Sequence, residues 1–177
     1  MSVNQGDHGN GMGRPGQPVR VLAIASGGGH WTQLLRMRPA WEGCDVVYAT
    51  THADYEKGVH QGAAAEAERP RFYTFPDANM REKLRLAWQA VVVACIVLKE
   101  RPDVVISTGA SAGYFALRLA KYLGKRTIWV DSIANAEELS LAGQRVRPFA
   151  DLWLTQWPHL AGAAGNAPAP QYFGAVL

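Results

Sequence analysis

The sequence predicts an α/β domain built on a doubly wound, mostly parallel sheet with helices covering both faces. Two observations lead there. Short Val/Ile/Leu-rich runs recur from residue 19 onward, and each is continuous rather than alternating, as strands buried on both faces read. Helix-like segments separate these runs, and strand–helix–strand crossovers of one hand wind a parallel, Rossmann-like sheet. Size agrees. The 177 residues suit a single domain, and a hydrophobic content of 48% supplies a core that a disordered or fibrous chain would lack.

In chain order, residues 19–25 form the first strand and residues 26–30 (Ser-Gly-Gly-Gly-His) the turn after it. A short helix over 31–40 stops near Pro39. Strands follow at 45–50 and 71–76, with an Ala- and Glu-rich stretch of helical character at 62–69 between them. A long helix runs from about residue 81 to 100, because Pro102 disfavours the helical conformation just before it. The fourth strand is 103–107, a helix spans 112–123 up to Gly124, and strands at 126–130 and 152–155 complete the sheet. Residues 171–173 read as a last short strand. Residues 1–18 form a Gly-rich polar leader, expected to be disordered, and 19–177 form the domain.

Composition removes several function classes. Lys and Arg exceed Asp and Glu by only 18 to 15, too few and too dispersed for a nucleic-acid footprint. Cys44 and Cys95 sit in apolar settings without metal-ligand spacing, so neither a metal nor a disulfide framework is expected and a reducing compartment fits. The leader has no apolar run of the kind a signal peptide carries. The longest apolar run, 91–98, is far short of the roughly 20 residues that span a bilayer. His8, His52, His60 and His159 show no ligand spacing.

Ligands of such sheets bind beyond the carboxyl ends of the strands, which selects three loops. In the first, Ser26, Gly27, Gly28 and Gly29 let the backbone approach an anion or sugar, and the next helix aims free N–H groups at it. The alternative is a tight turn without a ligand. It is not a dinucleotide fingerprint, since Thr32 stands where the third glycine belongs and Thr50-Thr51 where the ribose-binding acid belongs. Nor does Gly-Lys-Ser/Thr follow, which excludes a P-loop. His30 ends the run at the helix entrance, where the dipole disfavours the imidazolium. Three roles stay open for it: general base on an acceptor hydroxyl, donor to a phosphate, or helix cap.

The second loop holds Thr108, Gly109, Ala110 and Ser111, small residues and hydroxyls suited to a sugar or diphosphate, or to plain N-capping by Ser111. The third brings Asp131 to the same edge, as a base, a sugar ligand or a turn-former. In the long helix, Met80, Leu84 and Trp88 fall at i, i+4 and i+8, flanked by Arg81, Lys83 and Arg85. An apolar, Trp-bearing face between cations suits an anionic lipid surface, the alternative being packing on the sheet. Residues 90–98 are apolar all round and are expected to be buried in the fold or against a partner.

Ordered along the chain, these motifs carry a resemblance. Ser26 to His30 resembles the Gly-Gly-His turn of MurG-type (family 28) glycosyltransferases, and residues 101–110 (RPDVVISTGA) resemble their fourth-strand loop. Residues 131–134, 139–143, 150–152 and 156–158 are similar to the subfamily of PssD/CpsF-type exopolysaccharide proteins and the membrane-side subunit of the dolichol-pathway N-acetylglucosaminyltransferase. The likeness spans 19–177. It implies a single N-terminal-type lobe of a GT-B transferase that binds a lipid-diphosphate-linked acceptor at the cytoplasmic membrane face, peripherally. A second subunit would then carry the nucleotide-sugar site, with no cofactor or metal, and residues 173–177 would be a docking element for it. Family members often have Glu-Ser where this chain has Asp131-Ser132, and Arg in place of Asn135. Two rival readings are a non-catalytic membrane scaffold for the partner and a stand-alone sugar-nucleotide enzyme.

Overall fold

A computed structural model describes residues 16–61, 70–162 and 169–176. The Ala/Glu-rich stretch at 62–69 and most of the leader lie outside the described residues. Six parallel strands, β1 (Arg20–Ile24), β2 (Asp45–Thr50), β3 (Arg71–Thr74), β4 (Val104–Ser107), β5 (Arg126–Val130) and β6 (Leu152–Leu154), form one sheet in the order β3-β2-β1-β4-β5-β6. The order reverses direction between β1 and β4, which pair from Val21↔Val104 to Ile24↔Ser107. That crevice is the switch point of a doubly wound sheet, and the loops leaving both strands meet above it.

Five α-helices cover the sheet among the described residues: α1 (Gly29–Arg36), α2 (Glu56–Gln61), α3 (Lys83–Glu100), α4 (Ala110–Tyr122) and α5 (Leu141–Val146). Alternate strand residues face two cores. Leu22, Ile24, Val47 and Trp129 pack with α3 and α4 through Val93, Val97, Ala116 and Leu117. Val21, Ala23, Val46 and Tyr48 pack with Trp31, Leu34, Trp41 and Val59 on the other face. β2 is buried at every residue, as a central strand covered on both sides must be.

Several boundaries differ from the sequence reading, for local reasons. α1 begins two residues earlier, at Gly29, and ends at Arg36, because Pro39 starts a 3-10 turn over Arg38–Trp41. α3 begins at Lys83, not 81: the Asn79 side chain accepts from the Arg81 N–H at 2.9 Å and donates to Glu82, so Met80 and Arg81 lie in a turn ahead of the helix. Ser111 does not cap α4; Gly109 occupies the N-cap and no side chain caps it. Residues 171–173 contribute only an isolated bridge, Leu154↔Gln171.

The sheet's amino-terminal edge is closed by ions. Asp45, in register with Arg20, accepts from Arg20 at 2.7 Å and from Arg71 at 2.5 Å, while Arg71 also meets Glu100 at 2.9 Å. Burial alone would raise the Asp45 carboxyl; the hydrogen bonds from Arg20 and Arg71 outweigh it and hold the group below its ordinary value. A depressed carboxylate stabilises the fold above its unfolded pKa of about 3.9 and loses that contribution as pH falls through the lower folded value. Asp45→Asn should therefore cost on the order of 2 kcal/mol at neutral pH. Urea melts should show the gap from wild type closing at the acid end; a gap independent of pH would contradict this.

Candidate functional site

The glycine turn is built against β2. Gly27 donates its N–H to Thr51 Oγ1 at 3.0 Å and Gly28 donates to the Tyr55 hydroxyl at 3.2 Å. A Cβ on Gly27 would lie 2.8 Å from the exposed His52 ring, so any side chain there would have to push that ring aside. Gly28, at φ 71°, turns the chain into α1, whose first turn has no side-chain cap and no acidic residue. Two of the N–H groups expected to meet an anion are thus held by Thr51 and Tyr55. The uncapped first turn of α1 is what an anion would meet. Ser26 is half-buried at the rim, with no hydrogen bond among the described residues.

His30 and Thr108 clasp the two switch-point loops together. The Thr108 carbonyl can only accept, so His30 Nδ1, 2.9 Å away, carries the proton. In return the Thr108 hydroxyl donates to the His30 carbonyl at 2.6 Å. With Nδ1–H committed, Nε2 of the neutral ring holds the lone pair, and it has no hydrogen bond among the described residues. The ring lies on Gly109, where a Cβ would stand 2.3 Å from Nδ1. Ala110 follows at φ 65°, a left-handed conformation costing an alanine about 1 kcal/mol. The loop therefore turns sharply into α4, and α4, like α1, opens uncapped toward the crevice.

The other hydroxyls of the second loop serve the fold. The Ser111 hydroxyl donates to Gln89 at 2.6 Å, and Gln89, 1% exposed, donates to the Pro76 carbonyl. Their hydrogens are therefore not offered to a ligand, contrary to the simplest reading of the loop. Asp131 is likewise engaged. It is 2% exposed, and its two carboxylate oxygens accept from the Ser140 N–H at 2.8 Å and the Ser140 hydroxyl at 2.6 Å. Ser140 caps α5 through the Gly143 N–H. Asp131 thus positions α5 and is not presented to the crevice as a base.

Sequence reasoning missed Gln33 and Gln156. Both are buried, and both donate to the Asp131 carbonyl, at 3.3 and 2.9 Å. Gln156 also accepts from the Val176 N–H at 2.8 Å, tying the tail to this edge. A lone glutamine in a helix or after a strand carries no sequence signal; only the fold brings the two to one carbonyl. Thr51, His52 and Tyr55, the wall of the glycine turn, were missed for the same reason.

On α3 the side chains of Leu84 and Trp88 are 89% and 59% exposed, and Met80 ahead of it is 56%. Arg81, Lys83 and Arg85 flank them, also exposed. This stripe does not pack on the sheet. It continues along the helix through Val91 and Leu98, which are 51% and 52% exposed; of the segment expected to be buried in the fold or against a partner, the fold buries one face, through Val93, Ile96 and Val97. No described helix is long and apolar enough to cross a membrane. Among the described residues no group of His, Cys, Asp and Glu is arranged to hold a metal ion.

The family model "Oligosaccharide biosynthesis protein Alg14 like" matches residues 21–176. The chain belongs to the Alg14 family. It is 32% identical to the UDP-N-acetylglucosamine transferase subunit ALG14 of Eremothecium gossypii, over 95% of this chain and 84% of that one. Identity to the mouse ALG14 subunit is 27%, over 92% and 85%. Among solved structures the fold is that of one lobe of Acinetobacter baumannii MurG, with a TM-score of 0.63 at 14% identity, covering 83% of this chain and 44% of MurG. A UDP-N-acetylglucosamine 2-epimerase from Rickettsia bellii shares it at 0.53, 81% of this chain against 40% of that one. The expected fold, a single Rossmann-like lobe of the GT-B kind, is the one observed.

The loops' close packing sets a test. Gly109→Ala should lower stability by about 2 kcal/mol, because the methyl meets the imidazole in a strained backbone region. Gly28→Ala, with open space around its Cβ, should cost less than Gly109→Ala, through the strain of its φ 71°, ψ −137° backbone alone. Equal losses in denaturant melts would show that the ring does not rest on residue 109.

Proposed function

We propose that this chain is the acceptor-side subunit of a two-chain glycosyltransferase that moves a sugar from a UDP-sugar to a hydroxyl of a polyprenyl-diphosphate-linked saccharide. The family relatives are named as UDP-N-acetylglucosamine transferase subunits, which supports N-acetylglucosamine as the sugar. The observation that carries the reading is the clasp: it leaves a lone pair on His30 Nε2 at the rim of the switch point, between two uncapped helix starts.

In this reading the first turns of α1 and α4 hold the acceptor's phosphates or sugar by N–H groups and dipole. His30 Nε2 takes the proton of the acceptor hydroxyl as its oxygen bonds to the anomeric carbon. The bond from that carbon to UDP breaks, and UDP departs with the electron pair, stabilised by a partner chain that supplies the opposite wall. Asp131 acts through Ser140 and α5 as a positioning residue. The exposed stripe of Met80, Leu84 and Trp88, with Arg81, Lys83 and Arg85, rests on the cytoplasmic face of an anionic membrane. The tail, fixed through Gln156 and exposing Phe173 (77%), is the docking element for the partner.

The test is transfer on vesicles containing the lipid acceptor, with this chain, its partner and UDP-N-acetylglucosamine. His30→Ala should reduce turnover about 10²- to 10⁴-fold with partner binding intact, and a Leu84→Ser, Trp88→Ser pair should lose activity on anionic vesicles. Full activity in the His30 variant would leave the chain a membrane scaffold for a catalytic partner. Turnover of a soluble substrate by this chain alone would favour a stand-alone sugar-nucleotide enzyme.

A further inference from the structure

We propose that Gln156 and Gln33 are positioning residues that make the placement of His30 depend on the C-terminal tail, an inference that rests on His30 as the base and the tail as the docking element. Three hydrogen bonds connect the tail to α1. Val176 donates its N–H to Gln156 Oε1 at 2.8 Å, and Gln156 Nε2 donates to the Asp131 carbonyl at 2.9 Å. Gln33 Nε2 donates to the same carbonyl at 3.3 Å, and its Oε1 accepts from the Ile133 N–H at 3.3 Å. The partners dictate how both amides are turned, since a carbonyl can only accept and a backbone N–H can only donate. Gln33 is 4% and Gln156 3% exposed, and a buried amide that loses a partner has no water to replace it.

What these bonds hold is α1. His30 and Gln33 stand three residues apart in a helix of only eight, so they share a face. His30 makes two hydrogen bonds with Thr108 in the loop after β4, and Gln33 makes two with Asp131 and Ile133 in the loop after β5. Two such attachments fix a short helix in rotation as well as in position. With Gln33 released, only packing resists a turn of α1 about the clasp. Such a turn strains the 2.9 Å bond that keeps the His30 proton on Nδ1. Glutamine suits both positions because its amide is neutral and both donates and accepts. A glutamate of the same shape would set a carboxylate oxygen against the Asp131 carbonyl.

The other end of the relay is the docking element. Gln171 is bridged to the sheet edge, donating to the Trp153 carbonyl at 2.8 Å and accepting from the Thr155 N–H at 3.0 Å. Val176 is held by Gln156. Between these two anchors Tyr172 and Phe173 are 39% and 77% exposed. A partner that grips Phe173 therefore loads the bond from Val176 to Gln156 and, through the shared carbonyl, the helix that carries His30.

Gln156→Glu separates this role from anchoring of the tail, because a glutamate still accepts from Val176 but no longer donates to Asp131. Val176→Pro removes the N–H at the other end without touching the interior. In the full chain labelled with ¹⁵N-histidine, neutral His30 should be protonated on Nδ1 alone, and each variant should add a population protonated on Nε2. In the transfer assay with the partner saturating, kcat should fall about tenfold for Gln156→Glu and about threefold for Val176→Pro, with KM for UDP-N-acetylglucosamine within about twofold. Circular dichroism reports whether the glutamate variant folds; should it not, the proline variant decides. His30 nitrogen signals identical to wild type in the decisive variant overturn the assignment, whatever happens to kcat. Identical signals in a chain whose His30→Ala variant has lost transfer would remove the relay and leave the proposed reaction standing. Altered signals with kcat unchanged would do the reverse, keeping the dependence on the tail and removing His30 as the base.

Discussion

A pair of hydrogen bonds across the middle of the sheet organises everything at the functional edge. His30 donates to the Thr108 carbonyl and receives the Thr108 hydroxyl on its own carbonyl, so two loops 78 residues apart in sequence become one rigid rim. The first bond also decides the chemistry of the imidazole, because a ring that gives up Nδ1–H keeps its lone pair on Nε2. Gly109 is the condition for both: any side chain there would occupy the space of the ring. The two helices that begin at this rim, α1 and α4, both lack capping side chains. Their orphan N–H groups are the unspent hydrogen-bonding capacity of the edge.

The opposite edge shows the contrast. There Arg20, Asp45, Arg71 and Glu100 satisfy one another, and Tyr73 donates to Glu100 at 2.5 Å. Ion pairs join the strands where β1, β2 and β3 begin, while two uncapped helix starts stand where β1 and β4 end. Such a division would let one edge bind a ligand without loosening the sheet. Asp131 belongs to the stabilising class although it stands at the functional edge: both its oxygens are on Ser140.

Unbroken apolar runs made the sheet legible before any coordinates, because strands buried on both faces carry them, as residues 46–49 do. The glycine run was legible as the turn from the first strand into α1, since consecutive glycines directly after a strand have few other structural uses. What the sequence could not convey was which hydroxyls the fold consumes. Thr108 and Ser111 look identical to free ligand-binding groups until His30 and Gln89 arrive from elsewhere in the chain. The same holds for Gln33 and Gln156, whose meeting at the Asp131 carbonyl is purely tertiary. In α3 the sequence contained the exposed stripe but not its extent, because an all-apolar segment carries no period from which to choose a buried face. α5, only six residues long, was not foreseen, and its cap Ser140 is what engages the Asp131 carboxylate.

The proton on His30 is the quantity on which the account turns. Nitrogen NMR of ¹⁵N-histidine-labelled protein, with His30→Gln used to assign the signal, reads the tautomer directly. The geometry predicts that the neutral ring carries its proton on Nδ1, in a hydrogen bond to Thr108, with Nε2 as the unprotonated nitrogen. A neutral His30 protonated on Nε2 would mean that the clasp is not made as described and that no base stands at the rim.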